Sequence, residues 1–383
     1  MSSRVFLALV AITVLALVAA VVVALQQPTA APVRYVDEPA FPALRTDPDA
    51  VAKVVLTTPD GSFTLVRETG DRWAALERFG YPVDSDKVRA LIVALADMRL
   101  IEAKTSLPER YSRLEVEDPE GADAKSRLLR AEGADGTVLV EVILGKRQFR
   151  LTGNQAAGTY LRRPGEAQSW LASGGVDLDT EVVDWLDEEI VDLDPARIGR
   201  IAIRPDSGAN YLVRRDAVGA PLELSDLAAG ERVKEDADLG RLAGAFAGMA
   251  LEDVRPRAEL DWPAAHHSAT ATSLDGVEVT VQLAKIDGEP WALLDARAVE
   301  ALAPQASGDE PAPDAAGAVA AAGEDSAAQG VEEVEITPDE SAAPPSADEL
   351  EARLQPWAFK VPSQLFDRLT QPRSAWLEDS GTS

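Results

Sequence analysis

The chain contains no cysteine. Disulfides, cysteine-ligated zinc, thiolate catalysis and a lipidated N-terminal cysteine are thereby excluded. The absence does not fix the compartment; an oxidising one would do no harm. Histidine is nearly absent too: His266 and His267 are the only two. Adjacent residues on a strand point to opposite faces, so the pair is badly placed to share a metal and reads as surface or loop histidines. Positive charge is scarce, with 37 Lys and Arg against 65 Asp and Glu and a net charge of −28. Such a surface repels phosphate backbones, which argues against nucleic acid as a partner, and it disfavours broad contact with anionic lipid heads. Serine-elbow, zinc-helix, Walker and dinucleotide glycine patterns are missing. Gly145-Lys146 lacks the upstream glycine that a phosphate loop requires. No catalytic, cofactor-binding or metal-ligating residue is assigned, no cofactor is expected, and the chain reads as a non-enzyme.

What is present begins with one long apolar run. Residues 5–25, "VFLALVAITVLALVAAVVVAL", carry no charge. Twenty-one residues at roughly 1.5 Å each span about 32 Å, close to a bilayer core of roughly 30 Å. The apolar region of a cleaved signal peptide is shorter, about 7–15 residues. Residues 1–25 are therefore expected to be an uncleaved transmembrane anchor. Arg4 precedes the run and Arg34 and Arg45 follow it, a nearly balanced count. The short basic tail favours a cytoplasmic N-terminus. The expected location is a single-pass inner (cytoplasmic) membrane protein with its bulk in the periplasm or otherwise outside the cytoplasm. Residues 26–46, rich in Pro and Ala and without period, read as a tether.

The remainder repeats itself. "DPDAVAKVVLTTPDGSFTLVRE" at 47–68 aligns without a gap on "DPARIGRIAIRPDSGANYLVRR" at 194–215, sharing Leu-Val-Arg. In each, a strand, a turn and a returning strand are expected, and "RWAAL" adds a third strand to the first. A helix follows at "DSDKVRALIVALADM", capped by Asp84 or Ser85. Val88, Leu91, Ile92, Leu95 and Met98 form its apolar stripe. "DADLGRLAGAFAGMALEDV" is its counterpart, with Leu239, Leu242, Phe246 and Met249 in the same places. Hairpins with valine ladders come next, at Val138, Val140, Val142 and Leu144, and at Val277, Val279, Val281 and Leu283. "TYLRR" with "QSWLA", and later "EPWALLDA", supply further strands. "LDTEVVDWLDEEIVDLD" is expected to close the first unit as an acidic helix.

Residues 304–349 hold twelve acidic residues, no basic ones and no aromatics. Such a segment cannot bury enough apolar surface to offset roughly 1–2 kcal/mol of backbone entropy per residue, and reads as a disordered acidic insertion. The pattern resumes at "LQPWAFKVPSQLFDRL". The expected fold class is α+β: two tandem similar units, residues 47–193 and residues 194–303 with 350–377. Each is an antiparallel sheet with helices packed on one face, after the N-terminal transmembrane helix.

The stretches "VAKVVLTTPDGSFTLVRETGDRWAAL", "YPVDSDKVRALIVALADMR", "YSRLEVEDP" and "WAFKVPSQLFDRL" resemble a bacterial family, domain of unknown function 4340 (DUF4340). Tyr111, Leu114, Asp118 and Pro119 match the family's Tyr-Gly-Leu-Asp-Asp-Pro signature, while Ser-Arg and Glu-Val-Glu replace the rest. The resemblance spans roughly residues 47–377 without the acidic run, which is a departure from the family. It implies genomic neighbours: a multispanning permease, an ATPase and a gliding-motility-type auxiliary protein of an ABC transport system. It implies no catalytic residue.

Other candidates read as structural. The acids Asp177, Asp179, Glu181, Asp184, Asp187, Glu188 and Glu189 lack the spacing and the turn glycine of a calcium loop, and the stripe Leu178, Val182 and Trp185 makes them a solvated helix face. "DADLG" at Asp236 reads as a helix start. Trp73, Trp170, Trp185, Trp291, Trp357 and Trp376 read as packing residues, with a glycan or peptide platform as the other possibility. Arg162 and Arg163, near Tyr160, read as exposed charges that blunt a sheet edge, with recognition of an acidic partner as the rival. The functional expectation is a membrane-anchored extracytoplasmic accessory or scaffold subunit of an ABC-type transport or envelope-remodelling system, its partner a permease or auxiliary subunit. The alternative is a self-standing periplasmic glycan- or peptide-binding protein.

Overall fold

A computed structural model describes residues 35–121, 123–149, 158–176, 178–302 and 346–378. The expected anchor at 1–25, the tether up to residue 34 and the acidic run over 303–345 lie outside the described residues. Among the described residues no helix is long and apolar enough to cross a membrane. The chain is sheet-rich with some helices, α+β in class, and divides into two compact units, Met1–Leu186 and Asp187–Ser383.

The first unit starts earlier than the composition suggests. Residues 35–46, read as tether, form strand β1 (Tyr35–Pro39) and helix α1 (Pro42–Thr46), which buries Leu44 completely. Then come β2 (Val51–Thr58), β3 (Gly61–Arg67), β4 (Trp73–Ala75), β5 (Tyr81–Val83), α2 (Ser85–Ala96) and β6 (Arg99–Ala103). They are followed by α3 (Tyr111–Leu114), β7 (Arg127–Gly133), β8 (Val138–Gln148), β9 (Gly158–Arg162) and β10 (Ser169–Ser173). The strands join in one sheet of order β1-β6-β10-β9-β8-β7-β2-β3-β4-β5. Period-two burial sets its faces: Val54, Leu56, Phe63 and Leu65 point inward, while Lys53, Val55 and Thr64 point outward. Helix α2 forms as its stripe predicts. Asp84 caps it, accepting from the N–H groups of Asp86 and Lys87, and Val88, Leu91, Ile92, Leu95 and Met98 are all buried.

The acidic helix expected to close this unit does not form. Val182–Trp185 make one 3-10 turn, and Glu189–Val191, already within the second unit, become strand β11. A continuous helix would set Asp177 against Glu181 and Asp184 against Glu188, like-charged pairs four residues apart, over a β-branched run. The extended form instead buries both Trp185 and Leu186, each 1% exposed.

The second unit contains β12 (Ile198–Arg204), β13 (Tyr211–Arg214), β14 (Glu223–Leu224), α4 (Gly240–Ala243), β15 (Met249–Ala250) and β16 (Asp253–Pro256). It continues with β17 (His267–Ser273), β18 (Val277–Ile286), β19 (Glu289–Ala298), α5 (Ala347–Leu354), β20 (Trp357–Lys360) and α6 (Ser363–Leu369). Its main sheet has the order β14-β13-β12-β17-β18-β19-β20-β16, and β11 pairs with β15 apart from it. All strand pairs described in both units are antiparallel. The long helix expected after residue 236 shrinks to the four residues of α4. Gly240, Gly244 and Gly248 interrupt it, no side chain caps it, and Gly248 sits at φ +55°. Leu239, Leu242, Phe246 and Met249 are buried nonetheless. Residues 346–349, assigned by composition to the acidic insertion, are ordered: Ser346 and Glu349 form a reciprocal capping box that starts α5. Leu350 and Leu354 then pack inward, and α5 lies against β19.

Candidate functional site

A hydrogen-bonded cluster in the first unit is built around "YSRLEVEDP". Helix α3 stops after one turn because Glu115 adopts a left-handed conformation (φ 59°), and the Val116 N–H closes back on the Tyr111 carbonyl at 3.2 Å. Tyr111, Val116 and Ile143 form a buried cluster with Leu114, Leu128 and Tyr160 against it. The turn is clasped by Arg162, which is 3% exposed. Its Nε donates to the Val116 carbonyl at 2.7 Å, its Nη1 to the Glu166 carbonyl at 3.2 Å, and its Nη2 to Asp118 Oδ1 at 2.6 Å. The guanidinium lies 4.6 Å from the centre of the Tyr111 ring, and Tyr111 Oη donates to the Ala167 carbonyl at 2.6 Å. A buried arginine is tolerated when its nitrogens find acceptors, and all three nitrogens of this guanidinium have one.

Arg162 is thus neither an edge charge nor free to meet an acidic partner. Its neighbour Arg163 is half-buried, donating to the Ala40 carbonyl at 2.9 Å and pairing with Glu166 at 3.6 Å. Gly145 also belongs to the clasp. A Cβ there would run into the carbonyls of Leu114 and Glu115 and a methyl of Val116, so the glycine marks a close backbone approach.

The second unit has a cleft of about 550 Å³ whose lining includes Leu193, Val277 and Leu350 with Asp194, Arg197 and Asp275. Arg197 grips Asp275 in a bidentate pair, Nε to Oδ2 at 2.7 Å and Nη2 to Oδ1. This hydrogen bonding holds the Asp275 carboxyl below its ordinary range. Asp194 spends one oxygen on the Ala196 N–H at 2.8 Å. The chemistry is that of an apolar recess with one ion-paired wall, suited to holding a side chain or a small amphipathic molecule. Among the described residues no group of His, Cys, Asp and Glu is placed to hold a metal ion.

A family model described as "Domain of unknown function (DUF4340)" matches residues 73–265, just over half of the chain. The chain belongs to the DUF4340 family. The match runs from β4 to the residues just before β17 and so contains the whole Arg162 clasp. No curated protein matches this DUF4340 chain.

The remaining candidates separate in space. His266 leads into β17 with Nδ1 3.2 Å from the Pro263 carbonyl, and its ring is 6.3 Å from that of Trp262. His267 begins β17, with Nε2 3.5 Å from Asp206 and its ring edge-on to Phe366. Asp236 lies in the turn before α4. Trp73, Trp185, Trp291 and Trp376 are each 5% exposed or less, whereas Trp170, Trp262 and Trp357 are half-buried. Trp185 donates to the Asp179 carbonyl at 3.0 Å and Trp376 to Tyr211 Oη at 3.2 Å. Four of the seven are thus unavailable as a stacking platform. Sequence reasoning missed the clasp itself: the chemical signal, an arginine in a strand 44 residues beyond an Asp-Pro pair, has no local period.

Proposed function

We propose that this DUF4340 chain is a membrane-anchored accessory or scaffold subunit, held outside the cytoplasm beside an ABC-type transport system and built from two copies of one α+β unit. Duplication is supported by sheet order. The series β4-β3-β2-β7-β8-β9-β10-β6 and β14-β13-β12-β17-β18-β19-β20-β16 correspond strand for strand and in the same chain order. The observation that carries the location is the short distance between the uncharged run at 5–25 and the first strand, which begins at Tyr35. Nine intervening residues reach at most about 32 Å fully extended. An anchor in the run would hold the first unit against the membrane surface and raise its effective concentration for a membrane partner. The transporter link follows the family resemblance, and binding rather than turnover is the role that a pair of sheet units offers.

Crosslinking in native membranes followed by pull-down tests this reading. Recovery of a permease or an ATPase with the chain is expected, and a pull-down that enriches neither overturns it. The second reading, a self-standing glycan- or peptide-binding protein, draws on the cleft beside Arg197 and Asp275. It requires saturable ligand binding by the chain alone, lost when Leu350 is replaced by Trp.

A further inference from the structure

On the solvent side of the second unit's main sheet, the strand register brings three arginines together. Ile201, Ile203, Tyr211 and Val213 are buried, so Arg200, Arg204 and Arg214 project from the other face, and all three are exposed. Arg200 stands directly opposite Arg214 across the ladder, a pairing of like charges that costs stability. Among the described residues none of the three makes an ion pair. The carboxylates around them do not quench the charge. Glu223 stands opposite Arg214 on β14 without an ion pair, and Asp206, in the loop after Arg204, faces His267. Glu278, in the same cross-strand row as Arg200, is held by Arg297 and the Thr272 hydroxyl. In a chain with 65 acidic residues, a repulsion left standing breaks a local rule with no gain to folding, which marks a surface kept for a partner.

Spacing defines the chemistry that fits. Arg200 and Arg204 are four residues apart on β12, about 13 Å at roughly 3.3 Å per residue. Between them lie Ala202 and, opposite it, Leu212, both half-buried. The face therefore runs charge, apolar, charge along β12, and Ser268 and Thr270 flank it from β17. An extended peptide has the same period: carboxylates at i and i+4 and an apolar residue at i+2 fall on one side and span the same length. We propose that the face formed by Arg200, Arg204 and Arg214 docks a short acidic segment of a partner protein, with carboxylates on the arginines and an apolar side chain over Ala202 and Leu212. A bilayer or a nucleic acid meets the whole molecule and is repelled by its net charge of −28. A short segment meets only the charges within a Debye length, about 10 Å at 0.1 M salt. Val277, in phase with the buried Val279 and Val281, places the Arg197 cleft on the core side of the same sheet, so the two surfaces are separate. The docking is a property of the chain alone and does not depend on the membrane reading.

Fluorescence anisotropy of a labelled peptide, Glu-Thr-Leu-Thr-Glu-Thr-Leu-Thr-Glu, titrated with the full-length chain at about 0.02 M salt tests this. Saturable binding is expected, weakened at least about tenfold when salt is raised to about 0.5 M. The variant Arg200→Glu/Arg204→Glu/Arg214→Glu should weaken it by at least about tenfold at low salt with its melting transition retained, and the triple Lys variant should keep most of the affinity. Lys53→Glu, on the corresponding strand of the first unit, should leave it unchanged. The salt titration of the unsubstituted chain and a peptide of the same composition with its three Glu adjacent, expected to bind more weakly, decide the matter even if the charge-reversed variant misfolds. Absence of saturable binding, indifference to salt or to charge reversal, or equal affinity for the rearranged peptide overturns the proposal. So does displacement of the peptide by phosphatidylglycerol vesicles, which would make a lipid surface the occupant.

Discussion

In the first unit Leu65 is 1% exposed within the core, and Arg67 on the same face donates to the Asp49 carbonyl at 2.6 Å. In the second unit the corresponding Leu212 and Arg214 lie on the solvent side, and Val213 between them is fully buried. The same tripeptide, Leu-Val-Arg, has been turned over. The first strands of the two hairpins stay in phase, with Val54 and Leu56 inward in one and Ile201 and Ile203 inward in the other. The second strands do not: Lys53 pairs with Val66, whereas Arg200 pairs with Arg214 rather than Val213. A tight turn closes the first hairpin between Thr58 and Gly61, while residues 204–210 lie between the paired Ile203 and Tyr211 in the second. One residue of slip sends every side chain to the opposite face. Lys53 keeps a carboxylate neighbour, Glu132 at 3.2 Å, and Arg130 and Glu141 extend that network. The slip gives Arg200 an arginine instead. The two sheets, alike in strand order, therefore present different surfaces: Lys53 meets a carboxylate where Arg200 stands opposite an arginine.

Substitutions at aligned positions break or sharpen this contrast. The largest effect belongs to the clasp, which among the described residues only the first unit has: Gly145→Val should cost at least about 3 kcal/mol through backbone overpacking. Hydrogen exchange should show protection lost in β7–β9 while β17–β19 keep theirs, and equal loss in both units would argue against independent cores. Next is Leu65→Ala, expected to cost about 3 kcal/mol, against about 1 kcal/mol or less for Leu212→Ala. Val213→Ala and Val66→Ala should rank the other way, the second-unit residue costing more. Urea titrations that give equal losses for Leu65 and Leu212 would restore the gapless alignment.

A pH effect is expected in the second unit. The chain end after α6 is pinned by Arg373, which donates to both oxygens of Glu231 at 2.7 and 2.5 Å. Those bonds, with the Ala228 N–H second, lower the Glu231 carboxyl to about 2 from its ordinary 4.5. A depressed carboxyl stabilises the folded form fully above pH 4.5 and loses that contribution as pH falls through about 2. Exchange in residues 374–378 should rise over that window, and Glu231→Gln should show the rise already at neutral pH. The smallest effect concerns α4. Gly244 has helical backbone and room for a Cβ, so Gly244→Ala should add about 0.5–1 kcal/mol and some helical circular dichroism.

These contrasts show what a single sequence discloses. The stripe in α2, the valine ladders and the echoed hairpins are local periods, and each formed where the period pointed, except that Val138 lies beyond a register shift in β8 and is 40% exposed. The slip was hidden because Leu-Val-Arg carries an apolar residue in either phase: Leu65 and Val213 are equally acceptable core residues. The segment at 176–193 failed for a related reason, since apolar residues three and four apart also suit a 3-10 turn that leads into a strand. The Arg162 clasp joins residues from distant elements through backbone carbonyls, which have no side-chain signature at all. Residues 35–46 read as linker because they show no period and carry Pro39 and Pro42, yet Leu44 anchors α1 in the core.

Disulfide trapping tests the turned-over hairpin most directly, because the chain supplies no competing cysteine. Arg200→Cys/Arg214→Cys should oxidise readily to a crosslinked form, as should the reference pair Lys53→Cys/Val66→Cys, since in both the side chains are opposed on one face. Arg200→Cys/Val213→Cys should remain reduced under the same oxidant. Ready closure of that last pair, with the Arg200 and Arg214 positions left uncrosslinked, would contradict the register on which the comparison stands.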